Sequence, residues 1–207
     1  MLSAHMLMWM PLMIYTIGTM PQVLKCWREK SASGVSQIMV YIRSSAVSFY
    51  VIYLFACGLP IAYRIMLPIY LSLLLTLAVQ GYYFDADDKH RMRMLMGYGI
   101  SATLIAITSF FAIGNPHVVG MTAGWIAIGF YWTCEIPQVY KNYRRQSVQG
   151  FSFLFASMMA VGASMEAMLT LWFGLPKPTL ASSIRILSFY TMYCWQFSRY
   201  RVVKNQS

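Results

Sequence analysis

Long apolar stretches separated by short polar or turn-forming segments make up almost the whole sequence. A helix needs about 20 apolar residues to cross a hydrocarbon core about 30 Å thick, and seven stretches are long enough. They predict seven membrane-spanning helices, here called spans 1 to 7, over residues 4–24, 35–57, 61–84, 94–114, 118–140, 150–173 and 179–197. Turn sequences such as Gly58-Leu59-Pro60, or polar loops such as 85–93, separate them. The pattern therefore predicts an all-α, polytopic membrane protein.

Composition supports this prediction and excludes other classes of protein. Of the 207 residues 58% are apolar and 11% are charged, whereas soluble domains have about 45–50% and about 25%. A soluble enzyme, a disordered chain and a disulfide-stapled secreted domain are excluded because the surplus of apolar side chains must face lipid. No catalytic constellation such as H-E-x-x-H occurs, and the four cysteines show no metal-ligand or disulfide spacing. We therefore expect neither enzyme activity nor a metal ion or other cofactor.

The basic residues predict how the chain is oriented in the bilayer. They are concentrated in the loops after spans 1, 3 and 5 and in the C-terminal tail, whereas the opposite side has only Arg64 and Lys177. Because Lys and Arg are retained in cytoplasmic loops, we expect the N-terminus outside or lumenal and the C-terminus in the cytosol. The net charge of +10 mostly reflects this bias, so no nucleic-acid partner is expected. A bacterial inner membrane is the favoured location, with a lysosomal or vacuolar membrane as the alternative.

An internal repeat relates spans 1–3 to spans 5–7. A shift of 116 residues aligns the segment from Pro21-Gln22 to Ser36 with the segment from Pro137-Gln138 to Ser152, including the Lys, Arg, Ser and Gly between them. Span 4 has no partner, which gives a 3+1+3 arrangement, and this single helix gives both repeats the same orientation. We predict two parallel three-helix-bundle repeats at 1–84 and 117–200, a linker loop with span 4 at 85–116, and a cytosolic tail at 201–207.

Two Pro-Gln pairs at equivalent positions of a 3+1+3 chain resemble the PQ-loop family of seven-helix membrane transporters, which includes cystinosin, the lysosomal cationic amino-acid exporters, the SWEET sugar transporters and, more distantly, the KDEL receptors. The resemblance implies a secondary transporter that moves a small polar solute by alternating access between the repeats. It also implies that Pro21 and Pro137 act as hinges, with fixed kinks as the alternative. Gln22 and Gln138 are expected to bond the carbonyls that proline leaves free, or to meet the substrate.

Four charged residues lie inside the spans: Arg43, Glu135, Glu166 and Arg185. A charge at this depth costs about 2.5–3.5 kcal/mol on insertion scales, so such residues face a bundle interior and have partners. Their depths predict that Arg43 pairs with Glu135 toward the cytosolic side and that Glu166 pairs with Arg185 toward the outer side. We interpret both pairs as gates or substrate anchors, and permanent structural salt bridges are the alternative.

These charges favour an amino acid over a sugar as the solute, and cationic amino acids are among the candidates. An amino acid needs a cation for its carboxylate and an anion for its ammonium group. Two tyrosines are further candidate binding residues. Tyr50 lies on the same helix face as Arg43, and Tyr131 lies one turn before Glu135. Glu166 and Glu135 are the candidates for proton coupling, since Met159 occupies a position that resembles the proton-coupling Asp of cystinosin-like members.

Two other functions remain open from the sequence. In a SWEET-like sugar facilitator, Trp9, Trp125, Tyr15 and Tyr131 would stack on the sugar ring, although the asparagines of the SWEET pattern are missing from the spans. In a receptor of the KDEL-receptor type, the same architecture would bind a ligand without transporting it. The expected partners are thus a small-molecule substrate, protons if transport is coupled to them, and the lipid bilayer.

Overall fold

The structure is a computed structural model that describes residues 4–84, 88–148 and 151–204. These residues form nine α-helical segments: α1 (Ala4–Leu7), α2 (Trp9–Glu29), α3 (Gln37–Ala56), α4 (Ile61–Phe84), α5 (Asp88–Gly114), α6 (Pro116–Cys134), α7 (Ile136–Arg145), α8 (Phe153–Phe173) and α9 (Lys177–Lys204). Span 1 consists of α1 and α2, span 5 consists of α6 and α7, and every other helix is one span. The predicted all-α fold with seven spans is therefore confirmed.

By length and apolar composition alone, four of the described helices could cross a membrane. They are α3, α4, the Met94–Gly114 part of α5, and α8. Large apolar side chains cover the outside of the bundle, as lipid exposure requires; Phe110, Ile113 and Trp172, for example, are more than two-thirds exposed.

The second helix of each repeat begins with the same cap. The hydroxyl of Ser36 accepts a hydrogen bond from the backbone N–H of Met39 at 3.3 Å, and the hydroxyl of Ser152 accepts one from Phe155 at 3.2 Å. A serine at this position satisfies one of the N–H groups that a helix leaves without an internal partner. Because the two caps lie 116 residues apart, the sequence repeat is also a repeat of local structure.

Four turns with a left-handed backbone follow the same spacing. The first helix of each repeat ends at a left-handed residue, Lys30 with φ 48° and Gln146 with φ 47°. The second helix is followed by a left-handed glycine, Gly58 with φ 64° and Gly174 with φ 62°. Glycine suits the second pair because it adopts positive φ without a steric cost. The two repeats therefore share their turns as well as their helices.

The two bundles have equivalent packing and meet along two equivalent interfaces. In the first repeat α4 packs against both α2 and α3, and in the second α9 packs against both α6 and α8. The repeats meet where α3 packs on α6 and where α2 packs on α8, while α5 covers α3 and α6 from outside. Glycines make both interfaces close: a Cβ atom at Gly120 would lie 2.8 Å from Ala56, and one at Gly162 would lie 2.7 Å from the ring of Tyr15.

Two helices extend well beyond the predicted boundaries, α5 at its start and α9 at its end. The polar segment 85–93 was expected to be a loop, but α5 begins at Asp88 and only residues 85–87 lie outside the described part of the chain. Met and Arg in this segment favour helix, and a helix can continue beyond the bilayer. For the same reason α9 continues to Lys204, past the predicted end of span 7. Residues 149–150 of the second motif and 205–207 of the tail also lie outside the described residues.

Candidate functional site

A cavity of about 40 Å³ lies between the two repeats, with walls from α2, α3, α4, α6, α8 and α9. Five of the candidate residues line it: Arg43, Tyr50, Tyr131, Glu166 and Arg185. The sixth, Glu135, lines an adjoining cavity of about 20 Å³ together with Arg43. At roughly 10–15 Å³ per water molecule, the larger cavity has room for about three waters. The repeats must therefore separate before a larger solute enters.

Two guanidinium groups hold the buried carboxylate of Glu135. Arg43 Nη2 donates to Glu135 Oε1, and Arg185 Nη1 lies 3.5 Å from the same oxygen. The hydroxyl of Tyr193 donates to the other oxygen, Oε2, at 2.6 Å. The expected ion pair between Arg43 and Glu135 is present. We call Arg43, Glu135 and Arg185 the cationic cluster, because it has two positive groups and one negative group.

A helix break places Glu135 at this position. The helix of span 5 is interrupted at Glu135, between α6 and α7, two residues before Pro137. Proline has no N–H with which to continue the helical hydrogen bonds, so a break at this point costs little. Arg185 stabilises the free end of α6, because its Nη1 donates to the carbonyl of Tyr131 at 3.0 Å and to Cys134 Sγ at 3.4 Å. A cation at a helix C-terminus is favourable.

Glu166 is held by hydroxyl groups. Tyr15 Oη donates to Glu166 Oε2 at 2.8 Å, and Ser183 Oγ donates to the same oxygen at 3.0 Å. The predicted ion pair between Glu166 and Arg185 is wrong, because Arg185 lies at the end of α6 beside Glu135. Similar depth in the bilayer does not fix which face of a helix a side chain occupies. The cavity therefore has a cluster with excess positive charge and a separate carboxyl group.

Tyrosines separate these two groups. The guanidinium of Arg185 lies 4.6 Å from the centre of the Tyr131 ring, and the rings of Tyr131 and Tyr50 are 6.0 Å apart. The hydroxyl of Tyr50 donates to Thr179 Oγ1 at 3.1 Å, near the start of α9. Stacking on an aromatic face stabilises a guanidinium away from water. The contact between Tyr50 and Thr179 closes the cavity toward the end of α3.

The second Pro-Gln pair connects the two repeats outside the cavity. Gln138 Oε1 accepts a hydrogen bond from the backbone N–H of Ser36 at 2.7 Å, and Gln138 Nε2 donates to the carbonyl of Gly34 at 3.3 Å. Lys141 and Arg145 donate to carbonyls of the same turn, at 2.7 and 2.9 Å. We call these contacts with residues 33–36 the latch. The prediction that Gln138 bonds a carbonyl left free by proline is wrong, since its bonds reach the other repeat.

The two prolines have different surroundings. Pro21 lies inside the uninterrupted helix α2, whereas Pro137 follows the break between α6 and α7. The side chain of Gln22 donates to Cys26 Sγ at 3.5 Å, one turn further along α2. That either proline acts as a hinge stays a prediction. Pro137 is the stronger candidate, because the interruption of the helix lies next to it.

Ser183 and Tyr193, which bond Glu166 and Glu135, were missed as site residues, and Tyr15 was considered only for sugar stacking. A hydroxyl in an apolar span is a weak signal, because it often bonds the backbone of its own helix, as Ser164 does with Ala160. The tryptophans considered for sugar stacking are not among the residues that line the cavity, and Trp125 is about half exposed. Among the described residues, no group of three or more His, Cys, Asp or Glu side chains could hold a metal ion.

Comparison with known proteins identifies the family. Residues 4–63 and 119–179 match the PQ loop repeat, which covers more than half of the chain. Over 50 residues, 24% of this chain and 16% of the relative, the sequence is 36% identical to lysosomal amino acid transporter 1 homolog of Gallus gallus. The chain thus matches only a small part of that protein. The fold is similar to that of a eukaryotic SWEET transporter, with a TM-score of 0.66 and 10% identity over 94% of this chain and 99% of the other. This chain belongs to the PQ-loop repeat family of membrane proteins.

Proposed function

We propose that this protein is a secondary transporter for a small polar solute, an amino acid, and that it works by alternating access between its two repeats. The observation that carries the proposal is the cavity between the repeats, where a cluster with excess positive charge and a separate carboxyl group line one space. The local similarity to a protein named as an amino acid transporter supports this solute class.

The cavity groups match the two charged ends of an amino acid. The carboxylate of the solute binds the guanidinium groups of Arg43 and Arg185, which form charge-assisted and bidentate hydrogen bonds with carboxylates. The ammonium group binds Glu166. Tyr50 and Tyr131 lie between these two ends and pack against the body of the solute.

Contacts on both sides of the cavity fit alternating access. The latch joins the repeats on the side of the basic loops, and the bond between Tyr50 and Thr179 joins them on the other side. In transporters built from repeats, one repeat rocks against the other around a site near the midplane. Breaking one set of contacts while keeping the other opens the cavity to one side only.

The basic loops support a cytosolic latch and an N-terminus on the other side of the membrane. A C-terminal fusion to green fluorescent protein tests this orientation, because that protein does not become fluorescent when it is exported unfolded to the bacterial periplasm. Fluorescent cells are expected. A C-terminal alkaline phosphatase fusion should be inactive, and an active fusion would contradict the orientation.

Counterflow in liposomes tests the transport proposal. Purified protein is reconstituted into vesicles loaded with unlabelled solute, and entry of the same radiolabelled solute is measured for amino acids and for sugars. We expect amino acids to accumulate. Exchange of sugars alone would indicate a SWEET-like facilitator, and binding without accumulation would indicate a receptor.

Arg43→Gln is the variant that tests the site. It should lower the rate of amino-acid exchange at least about tenfold, because it removes one of the two cations that bind the carboxylate. The matched control is Arg64→Gln, since Arg64 lies outside the cavity and donates to the carbonyl of Leu59 at 2.8 Å. Exchange by Arg43→Gln at the rate of the control would remove Arg43 from the site.

A further inference from the structure

We infer that the solute is an amino acid without net charge and with an apolar side chain, and that cationic amino acids are excluded. This inference rests on the proposed function and adds the charge class of the substrate. It follows from the charges of the cavity groups and from the partners that each group already has.

The cationic cluster has one positive charge that no carboxylate within the cluster balances. Arg43 and Arg185 share one carboxylate, that of Glu135, whose other oxygen accepts the hydroxyl of Tyr193. Arg185 Nε is buried and has no hydrogen-bond partner among the described residues, although only 3% of Arg185 is exposed. Buried donors without a partner are rare in folded proteins and mark places where a ligand or water binds. A carboxylate supplies both the missing acceptor and the missing negative charge.

Glu166 provides the only other negative charge among the described residues that line the cavity. Tyr15 and Ser183 both donate to Oε2, and the hydroxyl group of Tyr63 also faces this carboxyl group. One ammonium group can pair with this carboxylate. A neutral amino acid therefore balances the cavity completely, with its carboxylate on the cationic cluster and its ammonium group on Glu166.

A cationic amino acid would leave one positive charge without a partner. Its second cation would find Glu135 already shared by Arg43 and Arg185. Among the described residues, the remaining wall offers no further carboxylate: besides the neutral hydroxyl groups of Thr16, Tyr70 and Ser182 it is apolar, formed by Leu12, Met66, Leu67, Met159 and Ile186. An uncompensated charge at this depth in the bilayer is strongly unfavourable. The same apolar residues favour an aliphatic side chain on the solute.

Counterflow with a panel of radiolabelled amino acids tests the inference. For the wild-type protein we expect exchange of alanine and leucine to exceed exchange of lysine and arginine at least about tenfold. Faster exchange of lysine or arginine would overturn the inference and leave the proposed function intact. Exchange of no amino acid would overturn both.

A matched pair of variants at Met159 tests the charge argument directly. Met159 lines both cavities, so Met159→Glu adds a carboxylate beside the solute, and Met159→Gln adds a side chain of nearly the same shape without charge. We expect Met159→Glu to raise the ratio of lysine to leucine exchange about tenfold over that of Met159→Gln. Equal ratios in the two variants would show that charge balance does not set selectivity.

Discussion

The two buried carboxyl groups of the site are stabilised in different ways. Glu135 forms ion pairs with Arg43 and Arg185, whereas Glu166 accepts hydrogen bonds from the neutral hydroxyl groups of Tyr15 and Ser183. A buried charge with cationic partners keeps its charge, but a carboxyl group among hydroxyls is free to change its protonation during transport. Glu166 is therefore our candidate for proton coupling, and Glu135 is the positioning partner of the arginines.

Replacement of Glu166 tests this difference. Among the described residues, five ionisable groups face it: Tyr15 from α2, Tyr50 and Tyr53 from α3, Tyr63 from α4 and Arg185 from α9. We expect Glu166→Gln to remove the dependence of uptake on pH, measured from mildly acidic to neutral conditions in liposomes. Ser183→Ala, which removes one hydrogen bond but keeps the carboxyl group, should keep that dependence. A pH dependence that persists in Glu166→Gln would assign coupling to another group.

The hydroxyl of Tyr193 should contribute to stability through Glu135. A hydrogen bond to a charged group is worth about 1.5–3 kcal/mol, so Tyr193→Phe should lower the free energy of unfolding by about that amount, measured by thermal or denaturant unfolding in detergent. The control is Tyr190→Phe on the same helix, since the hydroxyl of Tyr190 lies 3.5 Å from Ser157 Oγ. An equal loss of unfolding free energy in both variants would mean that the bond to Glu135 stabilises the protein no more than an ordinary tyrosine hydroxyl does.

The sequence predicted which residues line the cavity better than it predicted their partners. Charges and tyrosines spaced on one helix face identified Arg43, Tyr50, Tyr131, Glu166 and Arg185 as candidates, and all five line it. The partner of Arg185 could not be predicted, because it depends on how α9 is rotated against the end of α6. Such rotation is set by packing across the bundle and leaves no local pattern.

At the scale of helices, the repeats share a backbone pattern but differ at one point. Caps, left-handed turns and helix contacts recur at a spacing of 116 residues, which is the spacing of the repeat in the sequence. The break at Glu135 has no counterpart in α2, although Pro21 and Pro137 stand in the same local sequence. Local sequence could not predict this difference, because Arg185 from another helix holds the end of α6.

The break predicts that the two prolines contribute unequally to transport. Pro137→Ala restores the backbone N–H, so α6 and α7 can join into one helix and move Glu135. We expect it to slow amino-acid exchange about tenfold or more while the protein still folds, as checked by size-exclusion chromatography. Pro21→Ala, at the equivalent position of the uninterrupted helix, should slow exchange less. The opposite order would show that the break is not where the repeats flex.

At the scale of the whole molecule, two kinds of contact join the repeats: helix packing and the hydrogen bonds of the latch. Helix packing through α3 and α6 and through α2 and α8 is extensive, whereas the latch consists of a few hydrogen bonds to one turn, in which Val35 and Ser36 are buried. The bonds from Gln138 contribute about 0.5–1.5 kcal/mol each and those from the charged Lys141 and Arg145 about 1.5–3 kcal/mol each, and each is small enough to break in every transport cycle. We therefore propose that the latch sets how often this side of the cavity opens.

Gln138→Leu should favour the state that is open to the cytosol. It removes the two bonds from Gln138 to the first repeat, together worth about 1–3 kcal/mol, or roughly 5- to 150-fold in the opening equilibrium. The measurement is the rate at which a maleimide labels Cys134, which is fully buried beside the cationic cluster, in a variant without the other three cysteines. Gln146→Ala is the control, because Gln146 bonds its own turn. Unchanged labelling would contradict a role for the latch in opening.

The equivalent positions in the two halves have a consequence for the recognition of a zwitterion. Arg43 corresponds to Met159, Tyr50 to Glu166, Thr19 to Glu135, and Ile69 to Arg185. A homodimer of the first half would place two arginines and no carboxylate at its centre, and a homodimer of the second half would double both glutamates. Two identical halves cannot present different side chains at equivalent positions, so the proposed recognition of both ends of a zwitterion requires two halves that have diverged in sequence.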